Sequence, residues 1–138
     1  MGARILIVED DQDFVEAMRL PLEANGYEVL HAASGKEALE RVRGLMPDLI
    51  ILDVMMESDT EGFQVAYQLR NPDPRSEYAA CSKVPILMIT AIGAEKRMQF
   101  SPEIDREFLP VDGFLEKPVQ PGELLRNVEQ FLRERAGK

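Results

Sequence analysis

The sequence predicts a doubly wound α/β domain built on a five-stranded parallel sheet. Two observations carry this. Short apolar runs, rich in branched residues and lacking polar alternation, recur along the chain, as expected of strands buried on both faces. Between them lie segments with apolar residues at helical spacing, so strand alternates with helix five times. The length of 138 residues fits one domain, 1–138, with no internal repeat and no linker to a second.

The elements follow in order. "RILIV", Arg4 to Val8, is the first strand. Asp13 is the expected cap of the next helix, with Asp11 either assisting its start or simply exposed, and the helix's apolar face is Phe14, Ala17, Met18 and Leu22. Pro21 lies inside that helix and is expected to kink it, because proline donates no backbone hydrogen bond. Asn25-Gly26 stops it. "YEVLHAA" is the second strand, and "SGKE", Ser34 to Glu37, is a capping box. Ala38, Leu39, Val42, Leu45 and Met46 then form one helical face, which Pro47-Asp48 ends. "LIILD" is the third strand, and a third helix spans about Gly62 to Arg70. After a polar loop, "VPILMIT" is the fourth strand and "GFLE" a short fifth. The last helix starts at Pro121 and is expected to bury Leu124, Leu125, Val128, Phe131 and Leu132.

Composition narrows the function. The net charge of −9 disfavours direct binding to nucleic acid, whose phosphates an acidic surface repels. The single cysteine, Cys81, has no partner for a disulfide or a thiolate metal site. No apolar run approaches a membrane span, and no signal peptide precedes the first strand. A soluble cytoplasmic protein is the expectation.

Carboxylates gather where such folds bind ligands. Strand one ends in Glu9, Asp10 and Asp11, strand three in Asp53 and strand four in Thr90, and Lys117 follows strand five. In a parallel sheet these ends share one edge, beyond which ligands sit. A hard divalent cation would relieve the repulsion among the acids, and Mg²⁺ takes one or two carboxylates together with phosphate oxygens. Asp53 could then act as a nucleophile toward a phosphoryl group, with Thr90 and Lys117 holding its oxygens.

The set "ILIVEDD", "DLIILDVMM", "ILMITA" and "FLEKP" resembles the receiver domain of bacterial two-component response regulators, and does so over nearly the whole chain. Each motif is weak alone; their order and their positions at strand ends make the signal specific. The resemblance implies a flavodoxin-like (βα)5 fold with strand order 2-1-3-4-5. It implies that Asp53 accepts a phosphoryl group from a histidine kinase or phosphotransfer protein. Asp10 and Asp53 would be Mg²⁺ ligands with the backbone carbonyl of Met55, and Glu9 would act through a water. Thr90 matches the hydroxyl that moves onto the phosphoryl group and Lys117 the lysine that contacts it. Pro118 is a candidate for a cis peptide, and Phe114 matches the aromatic switch. Mg²⁺ and Lys117 would offset charge while positioning supplies most of the rate. The phosphorylated state would then bias a two-state equilibrium and alter contacts with a downstream protein target, with no direct nucleic acid or membrane partner.

Three features depart from the family. The "DVMMESDTEG" loop carries Glu57 where proline is common and is a residue longer; its acids either tune the site or are a solvated face. The loop from Asn71 to Lys83 is long, as surface insertions can be. Between Thr90 and Lys117, Pro102 and Pro110 oppose a continuous helix, so the fourth helix is expected to be broken or replaced. Phe100, Phe108 and Leu109 there either plug the core or dock a partner. Ile92 and Met55, expected to flank the phosphoryl group, are apolar and predict slow hydrolysis.

Other functions remain in play at this point. A receiver-fold scaffold that switches without phosphorylation would keep the fold; the altered fourth-helix region favours it, and the presence of every site residue counts against it. A phosphatase of the haloacid-dehalogenase type also uses a strand-end aspartate, but its second aspartate would fall on Met55. A flavodoxin would need a phosphate-cradling loop where this chain has "EDDQD". The protein is expected to be a signalling phosphoacceptor, not an enzyme acting on other substrates. His31 is expected to be structural, since nothing in the sequence pairs with it.

Overall fold

Strand β1 (Arg4–Val8) is followed by helix α1 (Gln12–Ala24), β2 (Glu28–Ala32), α2 (Gly35–Leu45) and β3 (Leu49–Asp53). Further along lie β4 (Ile86–Thr90), β5 (Gly113–Glu116) and α3 (Pro121–Ala136). This computed structural model describes residues 3–53, 65–66, 68–69, 73, 75–79, 83–90, 112–116 and 119–136. Thr90 and Glu116 are described by their backbone alone. The expected third helix is seen as helical Val65, Ala66, Gln68 and Leu69. The expected broken fourth helix, the loop acids from Glu57 onward and Cys81 lie outside the described residues.

The five strands form one sheet in the order β2-β1-β3-β4-β5, every pair parallel. All five residues of β3 are buried, as are the last four of β1, which explains their unbroken apolar runs. Strand alternation then divides the core into two layers. Leu6, Val8, Ile50, Leu52, Ile86 and Met88 face α2, meeting Ala38 and Val42. Ile5, Ile7, Leu49, Ile51, Leu87 and Ile89 face α1 and α3, meeting Val15, Met18, Leu22, Leu124 and Val128. Each such side chain contributes about 1.5–3 kcal/mol on burial, so these two layers dominate the fold.

Several local expectations change. Asp11, not Asp13, caps α1: its carboxylate accepts the amides of Asp13 and Phe14 at 3.0 and 3.4 Å. Asp13 sits in the first turn instead, where its charge suits the helix dipole. Ala17 is exposed, and Val15 takes its place on the buried face with Met18 and Leu22. Pro21 lies inside α1, as expected, and the helix extends to Ala24. Its end is a Schellman motif: Gly26 N–H donates to Glu23 O and Tyr27 N–H to Leu22 O, with Gly26 at φ +88°. A residue with a side chain would be strained at that angle.

Helix α2 starts at Ser34, whose hydroxyl accepts from Glu37 N–H at 3.1 Å. The return bond of the capping box reaches one residue further back than usual, with Glu37 Oε2 accepting from Ala33 N–H at 3.0 Å. Met46 is not on the buried face. It is the left-handed C-cap at φ 47°, half exposed, its position fixed by the turn into Pro47.

Two aspartates fasten the lower ends of the strands. Asp48 donates its N–H to Arg4 O and accepts Arg4 N–H on Oδ2, both at 2.8 Å. Asp112 does the same with Ile86, at 2.9 and 2.8 Å. Each aspartate thus starts a strand (β3 or β5) by holding the first residues of its neighbour. Arg4 also donates to Leu45 O at 3.0 Å, covering a carbonyl at the end of α2. The long loop between residues 71 and 83 is anchored by Tyr78, which is buried among the α2-side core residues.

Candidate functional site: an acidic cluster at the sheet's switch point

From β1 the chain proceeds to β2 on one side, while β3 lies on the other. Strand order therefore reverses between β1 and β3, leaving a crevice at their carboxyl ends where open α/β sheets bind ligands. Glu9 and Asp10 follow β1, and Asp53 ends β3. Their carboxylates each offer an oxygen within 4.8 Å of the others. Glu9 and Asp53 are only 1% and 2% exposed, while Asp10 is open to solvent.

This arrangement follows from local structure. Glu9 N–H makes the last ladder bond, to Ala32 O at 3.0 Å, and the chain then leaves the sheet. Glu9 Oε1 accepts Asp11 N–H at 3.1 Å, bending the chain toward α1. Asp11, committed to capping, is drawn away from the cluster. The N-terminal end of α1 adds partial positive charge beside the acids, typically about 0.3–1 kcal/mol of support.

Such a set suits a hard divalent cation. All three ligand atoms are carboxylate oxygens, two of them on buried side chains and one on a side chain reachable from water. Buried carboxylates this close repel unless a cation or proton stands among them. The residues present therefore fit Mg²⁺, which would be held by Asp10 and Asp53 with Glu9 nearby.

The remaining expected residues are placed in part. Asp53 pairs with Ile89 and Thr90 with Glu116, so the backbone of Thr90 stands at the same edge, one residue beyond the level of Asp53. Phe114 pairs with Met88 and is half buried against the α2-side core. Met55, Ile92, Lys117 and Pro118 lie outside the described residues.

One residue near the site escaped sequence reasoning as a partner. His31, on β2, puts Nε2 2.8 Å from the carbonyl oxygen of Glu9. A backbone acceptor has no signature in sequence; only the register of β1 and β2 reveals it. The carbonyl of His31 in turn accepts from the Arg41 guanidinium, which also pairs with Glu37 at 3.1 Å. The backbone bond from Ala33, followed by Arg41, lowers the Glu37 pKa below its ordinary value.

Sheet order, crevice and acid cluster together define a receiver-type fold. The chain belongs to the response regulator receiver domain family, whose match covers residues 5–129. It is 35% identical over 133 residues to the alkaline phosphatase synthesis transcriptional regulatory protein PhoP of Bacillus subtilis (strain 168), covering 96% of this chain and 50% of that one. Identity is also 35% to the response regulator MprA of Mycolicibacterium vanbaalenii, over 96% and 52%. The chain thus spans about half the length of the curated relatives it matches. Among solved structures, the chemotaxis response regulator CheY4 of Vibrio cholerae superposes with a TM-score of 0.75 at 28% identity, over 95% of this chain and 99% of that one. Among the described residues, no helix is long and apolar enough to cross a membrane.

Proposed function

We propose that residues 1–138 form a single cytoplasmic receiver domain in which Asp53 accepts a phosphoryl group from a histidine kinase or phosphotransfer protein. The observation that carries this is the buried Asp53 carboxylate beside Glu9 and Asp10 at the switch point. Burial excludes most competing water from Asp53, and the carboxylate attacks the donor's phosphorus in line with the leaving histidine nitrogen. The P–N bond breaks, the nitrogen recovers its electron pair, and a mixed anhydride forms on Asp53. Mg²⁺, when bound, supplies positive charge to the phosphoryl oxygens. Asp10 and Asp53 would hold it, with Glu9 contributing through a water and the Met55 carbonyl as a further ligand. Lys117 and the Thr90 hydroxyl take the remaining phosphoryl oxygens. Movement of Thr90 lets Phe114 turn inward, and the altered face selects a downstream protein.

Membership of the receiver family and the fit of the acids to a divalent cation both support this reading. Intact mass after incubation with acetyl phosphate and Mg²⁺ tests it, with Asp53→Asn alongside. A gain of one phosphoryl group in the wild type alone is expected. No gain from acetyl phosphate or from a phosphohistidine donor, with no Mg²⁺ binding, would turn the assignment to a scaffold that switches by other means.

A further inference from the structure

His31 stands where β2 meets the start of the site. It pairs with Ile7 of β1, and alternation puts it on the face of Val29 and Ile7, opposite Leu30 and Ala32. Its ring is partly buried, and Nε2 lies 2.8 Å from Glu9 O. A carbonyl oxygen only accepts, so Nε2 carries the hydrogen. Neutral and charged imidazole both meet that need, so the bond does not depend on the ring's charge.

The acceptor is the peptide joining Glu9 to Asp10. That peptide is the first beyond the sheet, after the ladder bond from Glu9 N–H to Ala32 O. Its plane sets the torsions on either side, and so where the Asp10 carboxylate points relative to Asp53. The Nε2–H bond holds this peptide from the β2 side, while on the other side the Glu9 carboxylate accepts Asp11 N–H at 3.1 Å. The backbone of His31 is held from the opposite face, where Arg41 of α2 donates to its carbonyl and is braced on Glu37.

We propose that His31 is a positioning residue for the acidic pair: its Nε2–H fixes the Glu9–Asp10 peptide and thereby preorganises the two carboxylates for a divalent cation. The inference rests on the metal-dependent reading of the same site. Groups that orient ligands in this indirect way typically change metal affinity by about 10- to 100-fold when removed.

Calorimetric titration with Mg²⁺, with melting in metal-free buffer beside it, tests the proposal on wild type, His31→Leu and His31→Gln. Leucine fills space without a donor, whereas the glutamine amide can present N–H near the position of Nε2. His31→Leu is expected to weaken Mg²⁺ binding about tenfold, and His31→Gln to restore most of it. Equal affinity in all three proteins overturns the proposal. So does an equal loss in both variants, which would mark His31 as packing only. Should His31→Leu not fold, ¹⁵N shifts of the wild-type imidazole decide: Nε2 protonated in the neutral ring is expected, and a bare Nε2 with protonated Nδ1 overturns the proposal. A wild type that binds no Mg²⁺ removes the functional reading itself, a result distinct from unchanged affinity in the variants.

Discussion

Asp112 accepts the amide of Ile86 at 2.8 Å, and Ile86 is fully buried. Removing the acceptor strands a donor that water reaches poorly, which costs about 1–3 kcal/mol. Asp112→Ala is therefore expected to lose that much in urea denaturation, while Asp112→Asn, which keeps a carbonyl acceptor, loses less. Glu37 gives a pH-dependent counterpart. Its folded-state pKa is lowered, chiefly by the bond from Ala33 N–H and then by Arg41. A depressed carboxylate stabilises the fold above its unfolded pKa, near the ordinary value of 4.5, and that stabilisation is lost as pH falls through the folded value. The stability difference between wild type and Glu37→Gln should thus be full at neutral pH and shrink below about pH 4.5. Paired denaturation curves across that range would show it; a constant difference would mean the charge is irrelevant to the cap.

Elements meet closely at β5 and α3. A Cβ at Gly113 would stand 2.7 Å from Phe131 Cζ, closer than real Cβ contacts come, and 3.2 Å from its Cε2, tighter than most. The glycine lets the phenylalanine ring of α3 lie directly against the edge strand. Gly113→Ala is expected to cost about 1–3 kcal/mol through overpacking. Combining it with Phe131→Leu should return part of that loss in thermal melts, a coupling that two independent defects would not show. At this scale the sequence was largely legible. Unbroken apolar runs found β1, β3 and β4, because both faces of those strands are covered. "SGKE" located the start of α2, and Asn25-Gly26 the end of α1. Errors came where neighbouring residues could satisfy the same local rule. Asp11 and Asp13 both look like caps, and only the turn from Glu9 selects Asp11. Met46 continues the apolar period of α2 yet becomes the left-handed cap, because the approach of Pro47 ends the helix first. His31 was passed over because its acceptor is a backbone carbonyl just beyond the end of another strand.

Across the whole molecule, site and fold are joined through charge. The chain carries a net charge of −9, and three of its carboxylates share one crevice. On the proposed reading, Mg²⁺ binds the folded state alone and raises its stability by mass action, by about 2.7 kcal/mol at one hundred times the dissociation constant. Melting temperature should climb with Mg²⁺ for the wild type and much less for Asp10→Asn. Equal climbs would place the cation elsewhere. The acid cluster was legible because a parallel sheet sends every carboxyl end to one edge, so strand-final residues predict their neighbours without any alignment.

The same residue type serves opposite margins of the sheet. Asp53 stands with Glu9 and Asp10 at one, and Asp48 and Asp112 tie strands together at the other. In a living cell the two groups would be hard to tell apart by phenotype. With Asp53 as the proposed phosphoacceptor, a genetic selection for lost signalling would recover substitutions at Asp48 and Asp112 beside those at Asp53. The first two would act by lowering the number of folded molecules, since one or two kcal/mol changes abundance several-fold. Protein level, measured alongside output, separates a broken tie from a broken acceptor.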